Sequence, residues 1–112
     1  MNDRIQILTS KIIALLAAMR YEDIVNLTGG VRMSIHEIQA AINDYGRTIV
    51  LPPDSAYSLL DIFTVKTVPF DQYAVRMPLW TKEEGRSDLT LEVTCKFFGE
   101  RVEVEFDDIR VL

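Results

Sequence analysis

Residues 89–112 constrain this chain more than any other stretch, because their pairing with each other can be worked out from sequence alone. Leu89, Leu91, Val93, Cys95 and Phe97 alternate with Thr90, Glu92, Thr94 and Lys96, the two-residue period of a strand with one buried face. After Gly99-Glu100, the residues Val102, Val104 and Phe106 alternate with Glu103 and Glu105. A two-residue loop with glycine first suits a type II′ turn. That turn pairs Phe97 with Val102, Cys95 with Val104 and Val93 with Phe106. It also sets Lys96 opposite Glu103 on the wet face, a favourable cross-strand pair. Beyond Phe106 the phase breaks, since Ile109 and Val111 fall one step out. A β-bulge at Asp107–Asp108 brings Ile109 opposite Leu91 and Val111 opposite Leu89. Bulges bend sheets, so strong curvature is expected there. Upstream, Met77 opposite Leu91 and Leu79 opposite Leu89 keep the phase, with residues 81–88 as a polar loop flanked by Trp80 and Asp88.

The first half of the chain reads as helix. Over residues 3–20, Ile5, Leu8, Ile12, Leu15, Leu16 and Met19 recur at three- and four-residue steps and line one face. A second, short helix spans residues 21–28 and stops at Gly29-Gly30. A third spans residues 34–45. Ser34-Ile35-His36-Glu37 is a capping box at its start, and Gly46 ends it. Residues 47–51 read as a short strand broken by Pro52-Pro53-Asp54. One helical turn over residues 54–60 leads into a strand at about residues 60–68. Pro69-Phe70-Asp71 is a turn, and residues 73–80 form the next strand. There Val75, Met77 and Leu79 share one face and Arg76 the other, and Pro78 marks an edge or a bulge. The fold class is therefore α+β: three N-terminal helices packed on a strongly curved antiparallel sheet, in a single domain of 112 residues.

Composition narrows the function. Cys95 is the only cysteine, so no intramolecular disulfide can form, and its place in an apolar alternation marks it as a buried small hydrophobe. The apolar run at residues 12–19 is too short to span a bilayer, and no signal-peptide layout surrounds it, which points to the cytoplasm. A net charge of -5 disfavours nucleic acid and anionic membrane as partners and favours a basic protein. His36 is the only histidine and is expected to face solvent on a capped helix. With no second histidine or cysteine cluster, no zinc site or other metal site follows, and no cofactor is implied. No phosphate loop, nucleophile triad or calcium loop is present.

The order of elements resembles the cone-shaped nuclear transport factor 2-like superfamily, in which helices lie on the concave side of a bent antiparallel sheet. A closer resemblance is to a family of small bacterial proteins. It is carried by Tyr45-Gly46-Arg47-Thr48, by Pro52-Pro53-Asp54, by Leu79-Trp80-Thr81-Lys82-Glu83-Glu84-Gly85-Arg86-Ser87-Asp88-Leu89-Thr90-Leu91-Glu92 and by the ending Asp107-Asp108-Ile109-Arg110-Val111-Leu112. The superfamily includes isomerases, dehydratases, polyketide cyclases and many non-enzymes, so the resemblance alone selects no activity. Its enzymes hold an acid–base pair such as Asp–His in the cone, and the single, early His36 does not fit that pattern.

Two constellations remain as candidates for partner binding. The first is the loop at residues 81–88, where Trp80 is a potential anchor and Arg86 offers a planar fork, with Glu83, Glu84 and Asp88 around it. Its structural alternative has Trp80 packing at the sheet end and Arg86 pairing with Asp88 or Glu84. The second is the acidic set Glu103, Glu105, Asp107 and Asp108, with Glu92 nearby. This set reads as a docking face for a basic protein, as paired carboxylates for hydrolysis, or as a solvated sheet face. Tyr21, Tyr45, Tyr57 and Tyr73 could line a cone pocket or close the core. The expected function is non-catalytic protein binding, in its concrete form an immunity-type protein that neutralises a basic toxin or nuclease. The alternatives are a small-molecule-binding or isomerase-like pocket in the cone, and a homodimer built through the sheet face.

Overall fold

A computed structural model of the chain describes residues 2–65 and 70–112. Three helices, α1 (Asn2–Ala17), α2 (Tyr21–Thr28) and α3 (Ile35–Tyr45), precede strands β1 (Ile49–Val50), β2 (Asp61–Val65), β3 (Asp71–Thr81), β4 (Gly85–Phe98) and β5 (Arg101–Val111). A 3-10 turn over Asp54–Leu59 links β1 to β2. The strands form one antiparallel sheet in the order β1-β3-β4-β5, and β2 pairs with the same edge of β3 as β1 does, nearer its start. The expected strand at residues 60–68 is therefore β2 as far as Val65. Its remainder, and Pro69 of the expected turn, lie outside the described residues.

The hairpin of β4 and β5 has the register expected from its alternation. Phe97 faces Val102, Cys95 faces Val104, Val93 faces Phe106, and Lys96 faces Glu103. Gly99 has φ +64°, and Glu100 is not among the positive-φ residues, the signature of a type II′ turn. Glu92 then pairs with Asp108 while Val93 pairs with Phe106, which leaves Asp107 as the extra residue of a bulge. Past it, Leu91 meets Ile109 and Leu89 meets Val111.

The hairpin of β3 and β4 departs from expectation. Its loop is confined to residues 82–84, so Arg86, Ser87 and Asp88 belong to β4 rather than to a long loop. Met77 does face Leu91, but Leu79 does not pair with Leu89. Between the pairs Pro78–Thr90 and Trp80–Arg86, Leu79 stands opposite the stretch Ser87 to Leu89. The buried Ser87 hydroxyl fills this second irregularity, donating to Leu79 O at 2.8 Å and accepting from Leu89 N at 3.2 Å. A polar run can thus be strand when its one buried polar side chain finds backbone partners and its neighbours stay in solvent.

All three helices cover the inward face of the sheet. Ile5, Ile12, Ile13 and Leu16 of α1, Ile24 of α2 and Ile38 of α3 are fully buried. They share one core with Val75, Met77, Leu79, Leu91, Val93 and Phe106. Burying each such side chain is worth about 1.5–3 kcal/mol. The capping box at Ser34 and Glu37 is formed, and Gly46 ends α3 with φ +75°. α1 stops at Ala17, short of the expected residue 20, and Met19 turns out to solvent with 71% exposure. Arg4 ties this helix to the terminal hairpin. It donates to Glu100 O at 2.7 Å and stacks over Phe97 at 5.2 Å. Cys95 is buried, and desolvation raises its thiol to about 11, with the charge of Asp107 adding to the effect. The tyrosines lie at the rim of this core, Tyr73 edge-on to Phe97 at 5.7 Å.

Candidate functional site

The bulge at Asp107 determines what the outer face of the sheet carries. Cross-strand partners share a face, so the register lines up Asp61, Arg76, Glu92 and Asp108 as one row across β2, β3, β4 and β5. Arg110 reaches this row from the next one. A recess of about 500 Å³ opens there, with Phe63, Arg76, Glu92, Asp107, Asp108 and Arg110 in its lining.

Glu92 is its centre. Arg76 Nε donates to one carboxylate oxygen at 2.8 Å, and Arg110 Nε donates to the other at 2.7 Å. Both guanidinium groups are held in place by one carboxylate, and both use only Nε to do so. The Arg76 guanidinium also lies over the ring of Phe63 at 5.6 Å, and that ring is 48% exposed. Lower in the recess, the Thr94 hydroxyl donates to Asp107 Oδ2. Asp107 Oδ1 is buried without a hydrogen bond among the described residues, and Arg32 Nε stands 3.2 Å away as its ion-pair partner. Burial pushes the Asp107 carboxyl up, and Glu105 and Glu92 add to the rise, against the Thr94 hydrogen bond and the charge of Arg32. Glu105 is held on both oxygens, by Arg32 at 3.4 Å and by Lys96 at 3.1 Å.

The acidic set is therefore not a bare acidic face. Glu92, Glu105 and Asp107 are each matched by a cation of the same surface. Glu103 pairs with Arg101 at 2.9 Å but keeps 48% side-chain exposure. Asp108 is 45% exposed, accepts from Ile109 N at 2.8 Å and lies 3.8 Å from Arg110. These last two carboxylates are the ones left open to a partner.

The residues around the β3–β4 turn do something else. Glu83 accepts from Thr48 N and from the Thr48 hydroxyl, both at 2.8 Å, and these bonds hold its carboxyl below the ordinary range. Glu84 accepts from the Tyr45 hydroxyl at 2.7 Å and from Thr81 at 3.0 Å. These two carboxylates clamp the turn to the end of α3 and the start of β1. Trp80 packs partly buried against the core. Arg86 is exposed on β4 and pairs with neither Asp88 nor Glu84, since Glu84 is occupied by Tyr45 and Thr81. Asp88 is exposed nearby. The nine candidate residues thus divide. Trp80, Glu83 and Glu84 hold the fold, Arg86 and Asp88 stand apart on β4, and of the four β5 carboxylates Asp107 and Asp108 line the recess while Glu103 and Glu105 lie outside it.

Phe63, Arg76, Arg110 and Arg32 were missed as site residues. Phe63 and Arg76 meet only through the pairing of β2 with β3, and Arg32 comes from the loop before α3. A strand arginine opposite a strand glutamate was the one available signal, and the register that pairs Arg76 with Glu92 could be read from Met77 opposite Leu91. Among the described residues, no three His, Cys, Asp or Glu side chains are grouped as metal ligands. Among the same residues, no helix is long and apolar enough to cross a membrane. His36 is exposed on α3. The arrangement offers ordered charges and an exposed aromatic ring for recognition.

Fold and site together define a small α+β domain, three helices on a bent antiparallel sheet, with an ordered mixed-charge recess on the sheet's outer face. Residues 13–112 match the family model described as Domain of unknown function (DUF7668), and the chain belongs to that family. The match begins inside α1 and includes the whole sheet. No curated protein matches the chain, and no solved structure does.

Proposed function

We propose that this chain is a non-catalytic protein-binding domain that works in a bacterial cytoplasm and docks its partner on the outer face of the sheet. The carrying observation is the recess at the Asp107 bulge, where Glu92 already holds Arg76 and Arg110 in position and Phe63 stays half exposed. Side chains ordered before binding lose little entropy on binding, which favours a rigid docking surface. An exposed aromatic ring beside fixed arginines also has the composition of an interface hot spot. Glu103 and Asp108 keep enough exposure to meet cations of a basic partner, and the net charge of -5 favours such a partner at long range. The immunity-type reading, neutralisation of a basic toxin or nuclease, is the concrete form that this chemistry supports. Three helices on a bulged antiparallel sheet also support the nuclear transport factor 2-like build. The inward positions of the sheet are packed with apolar side chains, which favours a surface site over a pocket inside the cone.

The test is differential capture from a bacterial lysate, with wild type compared against Phe63→Ala and against the pair Glu103→Lys and Asp108→Lys. All three sites are about half exposed, so the fold is expected to persist. The wild type should enrich a basic protein that each variant loses by about tenfold or more. Equal enrichment by wild type and both variants overturns the reading. Specific retention of a small molecule in the recess, lost in Phe63→Ala, would instead favour ligand binding, for which the recess volume is ample.

A further inference from the structure

β5 is an edge strand, and among the described residues its strand partner is β4 alone. The hairpin geometry determines which of its backbone groups are unpaired. Phe98 and Arg101 face each other across a two-residue loop, and the residues that flank such a loop form a hydrogen-bonded pair. Pairs then alternate along an antiparallel ladder. Val102, opposite Phe97, and Val104, opposite Cys95, fall at the non-hydrogen-bonded positions. Their N–H and C=O groups therefore point away from β4, toward the open edge.

A groove of about 310 Å³ runs beside this edge, walled by the end of α2. Its lining includes Leu27, Val31, Val102, Glu103, Val104 and Glu105. Consecutive strand residues point to opposite faces. A groove that touches residues 102 through 105 in turn must follow the backbone edge itself rather than either face. Val31 forms an apolar wall and is 70% exposed. The only charged residues in the lining are the two glutamates. Both oxygens of Glu105 are taken by Arg32 and Lys96. Glu103 engages Arg101 through Oε2, which leaves Oε1 for a newcomer.

We infer that this groove takes an extended, basic segment of a protein partner as a further strand beside β5. The free groups of Val102 and Val104 supply main-chain hydrogen bonds, the general source of affinity in strand addition. Alternate side chains of the added segment face Leu27 and Val31 on one side and Glu103 on the other. The segment is thus expected to alternate apolar and basic residues. The inference rests on the protein-binding reading and adds a second surface and a binding mode to it. Both surfaces belong to β5, so one partner can pack on the outer face and send a strand along the edge.

The probe is a synthetic peptide of about ten residues, the length of a long strand, alternating valine and lysine. Binding is followed by fluorescence anisotropy and by amide hydrogen exchange of the intact chain. The expected result is saturable binding that slows exchange of the Val102 and Val104 amides by about tenfold. A matched valine–glutamate peptide should bind about tenfold more weakly, and Glu103→Lys and Val31→Arg should each weaken the lysine peptide by about fivefold. Val31 is a surface residue, so its variant tests the wall without opening the core. Absence of binding overturns the inference, as does binding that leaves Val102 and Val104 unprotected or that ignores both substitutions. The broader reading fails on a different result, when the outer-face variants capture the same proteins as wild type. Loss of capture in Phe63→Ala with no peptide binding at β5 would retain the domain's role and remove the strand-addition mode.

Discussion

Met19 has the one positive φ, 56°, found outside glycine among the described residues. It sits just past α1, where Arg20 N donates to Leu15 O at 2.9 Å and Met19 N donates to Leu16 O at 3.0 Å. That pair of bonds is the Schellman ending, which normally takes glycine at this position. A side chain in this backbone region costs roughly 1–2 kcal/mol, and the extra freedom of glycine in the unfolded chain offsets about half of it. Met19→Gly should therefore stabilise the domain by about 0.5–1 kcal/mol, read as a higher urea midpoint at unchanged slope. The apolar periodicity of α1 pointed Met19 at the core. It missed because periodicity holds only while the helix lasts, and the backbone has already reversed by residue 19. Asp107 makes a second residue-scale prediction. Its carboxyl is raised in the native state, with burial the largest cause. A raised acid binds its proton more tightly folded than unfolded, so its contribution to stability is greatest below the ordinary aspartate range. That contribution is lost as pH rises through the native pKa. The side-chain amide of an Asp107→Asn variant cannot titrate. Thermal melts of Asp107→Asn should gain on wild type as pH is raised from about 3 to about 6. A gap that does not move with pH would mean that the Asp107 carboxyl binds its proton equally well folded and unfolded.

The hairpins contrast at the scale of elements. β4 and β5 were legible to the residue, including the bulge, because Gly99 sets the turn and apolar side chains mark every second position on both sides of it. The β3–β4 hairpin was not, because residues 81–88 carry no alternation. Their polarity is satisfied from elsewhere: Ser87 bonds across to β3, Glu83 reaches Thr48, and Glu84 reaches Tyr45. Thr48 and Tyr45 lie 35 and 39 positions away in the chain from those glutamates, beyond any local pattern. The clamp is open to measurement. A double-mutant cycle of Tyr45→Phe and Glu84→Ala should give a coupling of about 1 kcal/mol, as expected for a hydrogen bond to a charged group near the surface. The same cycle between Tyr45→Phe and Glu103→Lys should give none. Equal results for the two cycles would mean that the contact of Tyr45 with Glu84 does not hold the turn.

For the whole molecule, composition and arrangement give different pictures of charge. The net charge of -5 favours a basic partner and the run of carboxylates on β5 reads as its docking face, yet Arg32, Arg76, Lys96 and Arg110 are spent on Glu92, Glu105 and Asp107. Arg32 and Glu105 are separated by 73 positions, so only the folded chain brings them together. Fold class could be read early because it depends on periodicity and turns, which are local. The recess could not, since it forms only where β2, β3, β4 and β5 come side by side and each adds one residue to the row. Phe106, Asp108 and Ile109 pair in succession with Val93, Glu92 and Leu91, so a chain lacking residue 107 would find every one of those partners without interruption. Such a deletion should leave the hydrophobic pairing intact and remove the Asp107 bulge's share of the curvature. One in-frame codon would thus separate the two properties, relaxing the sheet locally at β5 while every facing pair of residues is kept.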